Sequence, residues 1–246
     1  MVNEKMVNVV IPMAGAGSRF AKAGYTKPKP FIDVLGKPMI CHVLDNLYMQ
    51  GAQFILIARC EHFEAEQETV RWIEAHYPVQ WVLVDKLTEG AACTVLHAHR
   101  LINNDVPMMI ANSDQIVDMQ IADFIKDSDA RKLDGSVLCF YDNDTKWSYA
   151  QIDDKGLITE IKEKVVISDH ATVGIYYFAQ GKIFVENAID MIVRNERVNN
   201  EFYVAPVYNY AIAQGKKFGI YSVDMQQMHG IGTPEDLDKY IAFKTK

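Results

Sequence analysis

The sequence predicts an α/β fold with a mostly parallel central sheet flanked by helices and followed by a smaller β-rich lobe. Three observations lead to this prediction. Apolar segments alternate with helix-like segments up to about residue 111, as in βαβ units. The strand-like segments end in glycine-rich or polar loops, where ligands of such sheets bind. From residue 136 the pattern changes to short strands joined by turns.

The first half of the chain is predicted to contain four strands separated by helices. Residues 6–12 form a β-branched run that leads into a glycine-rich loop, and residues 38–49 form a helix with a proline in its first turn. The following predicted elements are a strand at 54–58, a helix at 61–75, a strand at 80–84, a helix at 91–101 and a strand at 107–111.

The second half is predicted to be richer in strands. A hairpin turn at residues 153–156 joins two of them. Thr233 and Pro234 supply an N-cap hydroxyl and a first-turn proline for the final helix. The predicted elements are strands at 136–141, 148–152, 157–162 and 171–178, a helix at 181–194, a strand at 218–223 and a helix from 234.

Composition excludes several classes of protein. The 246 residues include 25 Lys+Arg and 32 Asp+Glu, a net charge of −7, and 49% of them are apolar, which suits a globular core. The acidic balance argues against a nucleic-acid partner, which would require a basic face. We find no apolar run of the roughly 20 residues that a membrane span needs and no signal-peptide pattern. The four cysteines show no metal-binding spacing, so we expect a cytoplasmic protein without a zinc site.

The first candidate motif is the loop Gly15-Ala16-Gly17-Ser18-Arg19 directly after the first strand. Glycines let backbone N–H groups approach an anion closely, and an arginine adds a forked donor. A dinucleotide-binding loop would have a third glycine where Phe20 stands, and a P-loop would have Lys-Ser/Thr after the last glycine. The loop alone is also compatible with a simple turn.

The second candidate motif is a cluster of positive charge around Lys29, which lies between two prolines. Restricted backbone suits a lysine held against a phosphate, where it could neutralise charge during phosphoryl transfer. A solvated basic loop is the alternative interpretation. Asp33 is the one acid against five cations, a local charge of +4, and these cations are Arg19, Lys22, Lys27, Lys29 and Lys37.

The third candidate motif is Asn112-Ser113-Asp114-Gln115 at the end of the strand predicted at 107–111. Mg²⁺ takes few protein carboxylates and leaves its other positions to phosphate and water. Asp114 is therefore a candidate magnesium ligand. The alternative is an Asx turn that ends the strand.

Together these motifs resemble the amino-terminal signature of the sugar-phosphate nucleotidyltransferases, a Rossmann-like (GT-A-like) pyrophosphorylase family. The matching segments are residues 11–20, 27–31 and 36–39. The resemblance covers nearly the whole chain and extends to a subgroup found in bacterial capsule biosynthesis loci. It implies one nucleotidyltransferase domain over residues 1–246, with a nucleotide-binding part at 1–135, an acceptor-binding part at 136–225 and a C-terminal loop and helix at 226–246.

The resemblance also implies roles for individual residues. Arg19 and Lys29 would grip the triphosphate, and Asp114 would bind Mg²⁺. The nucleotide would contact Met13, Ala14, Gly15, Gly17, Ser18 and a base-recognition loop with Glu89, Gly90 and Ala91. The acceptor would contact Ser113, Tyr149, Glu163, Lys164, Thr172 and Gly174.

Two features qualify the acceptor assignments. Val165 and Ala150 replace a proline and a glycine of the family pattern, and Ala150 is expected to alter the fit of the sugar. Aromatic side chains on strands are more often core than ligand contacts. For Trp147, Tyr149 and Tyr203 we therefore favour a place in the core.

The largest departure from the family pattern lies near the end of the chain. Family members usually read Asp-x-Gly-Thr, whose aspartate is a second metal ligand, whereas this chain reads Gly230-Ile231-Gly232-Thr233. Gly230 cannot bind magnesium through a side chain. Either one carboxylate and the substrate phosphates suffice, or another group takes part, for which the candidates are Asp224, His229 and Glu201.

The resulting prediction is an enzyme that condenses a nucleoside triphosphate with a sugar or polyol phosphate and releases pyrophosphate, for capsule or surface polysaccharide synthesis. A glycosyltransferase and a non-catalytic nucleotide-sugar-binding protein are the alternatives. Asp85 and Glu89 could accept hydrogen bonds from an exocyclic amine, which favours CTP slightly over dTTP or UTP. The sequence carries no signal for an oligomeric state.

Overall fold

The computed structural model describes residues 6–245, so the predicted domain limits at residues 1 and 246 lie outside the described residues. The main sheet and two small two-stranded sheets contain the strands β1 (Val7–Pro12), β2 (Asp33–Val34), β3 (Lys37–Pro38), β4 (Ala52–Arg59), β5 (Val79–Val84), β6 (Met108–Ala111), β7 (Gln115–Val117), β8 (Gly135–Tyr141), β9 (Ser148–Ile152), β10 (Ile158–Glu163), β11 (His170–Phe178), β12 (Phe218–Ser222) and β13 (Met228–Gly230).

The helices connect and cover these strands. They are α1 (Ser18–Lys22), α2 (Met39–Leu47), α3 (Cys60–Ala65), α4 (Gln67–His76), α5 (Ala91–Leu96), α6 (His99–Ile102), α7 (Ile121–Ala130), α8 (Gly181–Val193), α9 (Val207–Ala213) and α10 (Pro234–Lys244). None of the helices between residues 6 and 245 combines the length and the apolar character that crossing a membrane requires.

One nine-stranded sheet runs through the molecule. Its order is β10-β9-β11-β6-β1-β4-β5, with β8 beside β11 and β12 beside β8. β1 is parallel to β4 and β6, and β4 is parallel to β5. β11 joins this parallel half as an antiparallel neighbour of β6, with Tyr176 opposite Ile110. The strands β8 to β12 therefore extend the same sheet.

Helices cover both faces of the sheet, which confirms the predicted α/β architecture. Val9 and Ile11 of β1 belong to one apolar cluster, together with residues of α2, α7 and α10. Val10 belongs to a second cluster, together with residues of α5, α8 and α9. Successive side chains of a strand point to opposite faces, so both faces of β1 are buried against helices.

Two helices that the sequence predicts as continuous are broken. The predicted helix at 61–75 is divided into α3 and α4 at Glu66, which has φ −117° and ψ 34°. The predicted helix at 91–101 is divided into α5 and α6 near Ala98, which has φ −88° and ψ 8°. Neither break contains glycine or proline, so the sequence has no local signal for it.

The short strands β7 and β13 are absent from the sequence prediction, yet they shape the site. They pair in antiparallel fashion, with Gly230 opposite Gln115. This pairing brings the segment before α10 against the end of β6. The N-cap of α10 is confirmed, because the hydroxyl of Thr233 accepts a hydrogen bond from the backbone N–H of Asp236 at 3.1 Å.

Candidate active site

The site is built on the loops that follow two neighbouring parallel strands, β1 and β6. Val10 of β1 lies opposite Ile110 of β6. β1 ends at Pro12 and leads into the glycine-rich loop, and β6 ends at Ala111 and leads into residues 112–114. Because the carboxyl ends of parallel strands lie at the same edge of a sheet, these two loops face one another.

Lys29 and Asp114 form an ion pair between segments that are 85 positions apart in the sequence. The Nζ of Lys29 donates to the Oδ2 of Asp114, and the two side chains are 19% and 22% exposed, so the pair faces a cavity and not the core. Lys29 begins a short 3₁₀ helix in which Pro30 and Phe31 are buried. Their burial fixes the backbone from which the lysine projects.

Gly17 is required by its backbone conformation and by its neighbour. Its φ of 59° lies in the left-handed region, which favours glycine. A Cβ atom at this position would lie 3.2 Å from the Cβ of Lys29. A side chain here would therefore strain the loop and press on the lysine.

The two loops enclose a cavity of about 460 Å³, which we call the loop cavity. The structure thus brings together the glycine-rich loop, Lys29 and Asp114. Of the residues singled out from the sequence, its lining includes Met13, Gly15, Gly17, Ser18, Arg19, Lys29, Ala91, Ser113 and Asp114.

Three predicted nucleotide contacts have other surroundings. Ala14 is buried in the apolar cluster on one face of the sheet. Glu89 forms an ion pair with Arg197 at 2.5 Å. Gly90 has φ +123°, and a Cβ atom there would lie 2.5 Å from the backbone oxygen of Phe202. Its lack of a side chain therefore serves the close contact between two chain segments.

The predicted cluster of five cations is divided among different partners. Arg19 and Lys29 line the loop cavity. Lys27 pairs with Glu66 at 3.4 Å, and Lys37 pairs with Asp45 at 2.7 Å. The expected local charge of +4 is therefore not all directed at one ligand.

The chain before α10 packs directly on Asp114. The backbone N–H of Ile231 donates to the backbone oxygen of Asp114 at 2.9 Å. A Cβ atom at Gly232 would lie 2.5 Å from the Oδ2 of Asp114. Any side chain at position 232 would therefore displace the carboxylate of Asp114. The sequence pattern alone does not reveal this role of Gly232.

A second cavity of about 240 Å³, which we call the sheet cavity, adjoins the first. Asn112 and Ala91 line both cavities. Gly174 has φ +92°, and a Cβ atom there would lie 2.2 Å from the Nδ2 of Asn112. Gly174 therefore leaves room for the asparagine side chain at the boundary between the cavities.

The predicted acceptor residues Glu163, Thr172 and Gly174 line the sheet cavity. The Oγ of Ser148 donates to the Oε2 of Glu163, and burial raises the pKa of this glutamate above its usual value. The hydroxyl of Thr172 lies 3.2 Å from that of Tyr176. The cavity is thus polar on its strand side.

Lys164 lies beside the sheet cavity and contacts Tyr203, which lines it. The Nζ of Lys164 donates to the hydroxyl of Tyr203 at 2.7 Å, and this hydrogen bond raises the pKa of the lysine. Burial raises the pKa of the Tyr203 hydroxyl, the hydrogen bond to Lys164 lowers it, and the nearby Glu201 raises it. Glu201 lines the loop cavity, so Tyr203 lies between residues of the two cavities.

The expectation that three aromatic residues belong to the core is correct for one of them. Tyr149 is fully buried, and its hydroxyl donates to the backbone oxygen of Asp144 at 2.7 Å. This burial leaves no surface for the predicted contact between Tyr149 and the acceptor. Trp147 and Tyr203 line the sheet cavity, and neither lies in a strand, so the rule for aromatic residues on strands does not apply to them.

The three candidates for a second metal ligand lie in three different surroundings. Asp224 caps the 3₁₀ helix Met225–Gln227. His229 lies 2.8 Å from the Oδ2 of Asp118. Glu201 lines the loop cavity with Asp114. Within residues 6–245 there is no group of three or more His, Cys, Asp or Glu side chains that could hold a metal ion.

Comparison with known proteins gives a family match over most of the chain. The model of the family described as nucleotidyl transferase matches residues 8–244. The chain is 24% identical over 245 residues to the UTP–glucose-1-phosphate uridylyltransferase AglF of Haloferax volcanii, covering 95% of this chain and 94% of that protein. It is 25% identical over 179 residues to the mannose-1-phosphate guanylyltransferase catalytic subunit beta of Danio rerio, covering 70% of this chain and 50% of that protein.

Solved structures share the fold. The nucleoside-diphosphate-sugar pyrophosphorylase from Vibrio cholerae RC9 matches with a TM-score of 0.80 and 24% identity, covering 95% of this chain and 99% of that chain. This similarity confirms the mostly parallel sheet flanked by helices.

Proposed function

This chain belongs to the nucleotidyl transferase family, and we propose that it condenses a nucleoside triphosphate with a sugar or polyol phosphate to give an activated sugar or polyol and pyrophosphate. The observation that carries the proposal is the arrangement of Arg19, Lys29 and Asp114 on one cavity. That cavity shares Asn112 with a second, polar cavity. Two adjoining cavities suit two substrates that react with each other.

The reaction requires alignment and charge stabilisation. An oxygen of the acceptor phosphate attacks the α-phosphorus and forms a new P–O bond. The bond from the α-phosphorus to the bridging oxygen breaks, and pyrophosphate leaves with the electron pair. The nucleophile is already an anion, so no general base is needed, and positioning with electrostatic stabilisation provides the catalysis.

Arg19 and Lys29 are proposed to stabilise the charge on the reacting phosphates. Both line the loop cavity. Within the described residues 6–245, Arg19 forms no ion pair with a carboxylate, so its charge is available to a ligand, whereas Lys29 is held by Asp114. An arginine fork can bind two phosphate oxygens, and a lysine acts as a point charge.

Asp114 fits the role of a magnesium ligand. Its Oδ2 contacts the ammonium group of Lys29, so the carboxylate already faces a cation. Mg²⁺ commonly takes one or two protein carboxylates together with substrate phosphates. We propose that Asp114 holds Mg²⁺, which would offset phosphate charge, and that the lysine then turns to the phosphates.

The acceptor is proposed to occupy the sheet cavity. Glu163, Thr172 and Gly174 line it, and Ser113 lies next to it on the loop cavity. Lys164 is held at its edge by Tyr203, and Lys146 is part of its lining. Two ammonium groups beside hydroxyl and carboxyl groups suit a polyhydroxylated phosphate.

The choice of base in the sequence prediction depends on two acidic side chains. The two acids behind the choice of CTP both have partners, since Asp85 accepts from the Sγ of Cys60 at 3.2 Å and Glu89 pairs with Arg197. The names of the two relatives refer to UTP and to a guanylyl group. CTP, dTTP, UTP and GTP therefore enter the test on equal terms. A role in capsule or surface polysaccharide synthesis stays a prediction from the resemblance.

The test is a matrix of these triphosphates against sugar and polyol phosphates with Mg²⁺, scored by pyrophosphate release. We expect release in at least one combination and no release without the acceptor. Transfer from a nucleotide sugar without pyrophosphate release would instead indicate a glycosyltransferase. Nucleotide-sugar binding without turnover across the matrix would indicate a binding protein.

A further inference from the structure

A buried amide oxygen without a partner lies beside the position where the family aspartate is missing. The Oε1 of Gln115 is buried and has no hydrogen-bond partner among the described residues 6–245. Leaving such an oxygen unsatisfied destabilises the folded chain. An orphaned buried acceptor of this kind calls for an explanation, and strain, a bound water and a bound ion are the usual ones.

The backbone places Gln115 directly opposite Gly230. The two residues are paired in the antiparallel ladder of β7 and β13, and the side chains of such partners lie on one face about 4.5–5.5 Å apart at Cβ. A Cβ atom built on Gly230 has open space around it, and the nearest atom within 4 Å is the Oε1 of Gln115 at 3.8 Å. The backbone of Gly230 is therefore open to a side chain, and the amide oxygen of Gln115 is the atom that such a side chain would approach most closely.

Gln115 also shares a cavity with Asp114. A cavity of about 600 Å³, which we call the helix cavity because it extends to α10, is lined by Asp114, Gln115, Gly230 and Gly232 among others. Asp114 lines the loop cavity as well. The amide oxygen and the carboxylate thus belong to consecutive residues at the border of the two cavities.

From these observations we propose that the Oε1 of Gln115 is a protein ligand of the metal ion held by Asp114, in place of the carboxylate that Gly230 lacks. This inference rests on the proposed function, which supplies the need for the ion. Amide oxygens are ordinary ligands of hard cations. The protein then contributes a charge of −1 to the ion, so most of the negative charge around it comes from the triphosphate.

The experiment is a titration of the chain with Mn²⁺ alone. Binding is measured as the loss of the electron paramagnetic resonance signal of free Mn²⁺. Gln115→Leu removes the oxygen at nearly constant size, and we expect the Mn²⁺ affinity to fall at least about tenfold, as for losses of metal-site groups generally. Gln115→Glu should raise the affinity. Gln80→Leu, at an exposed glutamine of β5, is the matched control and should leave it unchanged.

A double variant separates a ligand from a structural residue. Adding Gly230→Asp to Gln115→Leu supplies a carboxylate in the open space at position 230, and we expect it to restore Mn²⁺ binding. A packing defect would not be restored in this way. Equal Mn²⁺ affinities of Gln115→Leu and the wild type, or no binding by the wild type, would overturn the assignment.

This outcome is distinct from failure of the proposed function. If the wild type releases pyrophosphate but its Mn²⁺ affinity does not respond to Gln115, only the ligand assignment is wrong. If Mn²⁺ binds through Gln115 and no substrate pair gives pyrophosphate, the ligand assignment stands and the proposed function is wrong.

Discussion

At the scale of single residues, the site depends on close contacts that need particular side chains or none. Lys29 meets Asp114, Gly17 leaves room for Lys29, and Gly232 leaves room for Asp114. Each of these two glycines lies against a charged side chain, so replacing the glycine would affect the reaction by displacing that side chain. Lysine and aspartate are the groups that would touch the ligands.

The first prediction concerns the charge of Lys29. Lys29→Ala should lower kcat for pyrophosphate release by about 10², the loss usual when one donor to a transition-state charge is removed. Lys37→Ala is the matched control, because this lysine pairs with Asp45 on the surface. Equal turnover in the two variants would exclude a role for Lys29 in catalysis.

The second prediction concerns the space around Asp114. Gly232→Ala places a Cβ atom 2.5 Å from its Oδ2, so the carboxylate must move, and Mn²⁺ affinity and turnover should fall together. Gly230→Ala is the comparison variant, because the nearest atom to its Cβ is 3.8 Å away. Affinity and turnover are measured on both proteins, and an equal loss in both would contradict the steric argument.

At the scale of elements, α10 supports the site through the segment that precedes it. Thr233 caps this helix, and Ile231, two residues earlier, is hydrogen-bonded to Asp114. β13 pairs with β7 in the same region. The cap therefore anchors one end of a segment whose other end is hydrogen-bonded to the backbone of Asp114.

The third prediction concerns this cap. Thr233→Ala should lower the free energy of unfolding by about 1 kcal/mol, and Thr233→Ser should largely preserve it, because a serine hydroxyl can accept the same hydrogen bond. Thr245→Ala is the control, since the hydroxyl of Thr245 donates to Ile241 at the exposed end of α10. Urea unfolding curves measure all three variants. A loss in Thr245→Ala as large as that in Thr233→Ala would contradict a specific role of the cap.

The sequence predicted most of the long elements, although not α7 and α9, and it missed the short strands that depend on partners distant in the chain. The strands at 148–152 and 171–178 have strong apolar or alternating patterns, and the structure contains both. β7 and β13 have three residues each and exist through mutual pairing. The breaks that divide α3 from α4 and α5 from α6 interrupt patterns that remain periodic in the sequence.

The site residues also differ in whether a local sequence pattern indicates them. Lys29 and Asp114 carry charge in recognisable motifs, so the sequence indicated them, and the structure brings them into contact. Asn112, Trp147 and Lys146 line the cavities because β6, β9 and β11 meet in one sheet. This arrangement of strands arises from the tertiary fold, and no local sequence pattern indicates it.

At the scale of the whole molecule, the continuous sheet joins the parallel half to the antiparallel half through β11. The sheet cavity is lined by residues of β9, β10 and β11, with Glu163 and Tyr176 among them, and Glu163 is buried. A glutamate in this position is removed from water in the folded chain and returned to water on unfolding. Its ionisation is thus coupled to the stability of the molecule.

The fourth prediction is a pH dependence of stability due to Glu163. Burial raises its pKa in the folded chain above the ordinary value of 4.5, so the folded state binds the proton more tightly than the unfolded state. The resulting stabilisation is complete below 4.5 and is lost as the pH rises through the folded pKa. Glu163→Gln should remove this loss, so its free energy of unfolding should vary less with pH over the weakly acidic range.

Glu160→Gln, at an exposed glutamate of β10 paired with Lys162, is the matched control and should keep the wild-type dependence. Urea unfolding at a series of pH values measures both variants, and parallel curves for Glu163→Gln and the wild type would contradict the assignment.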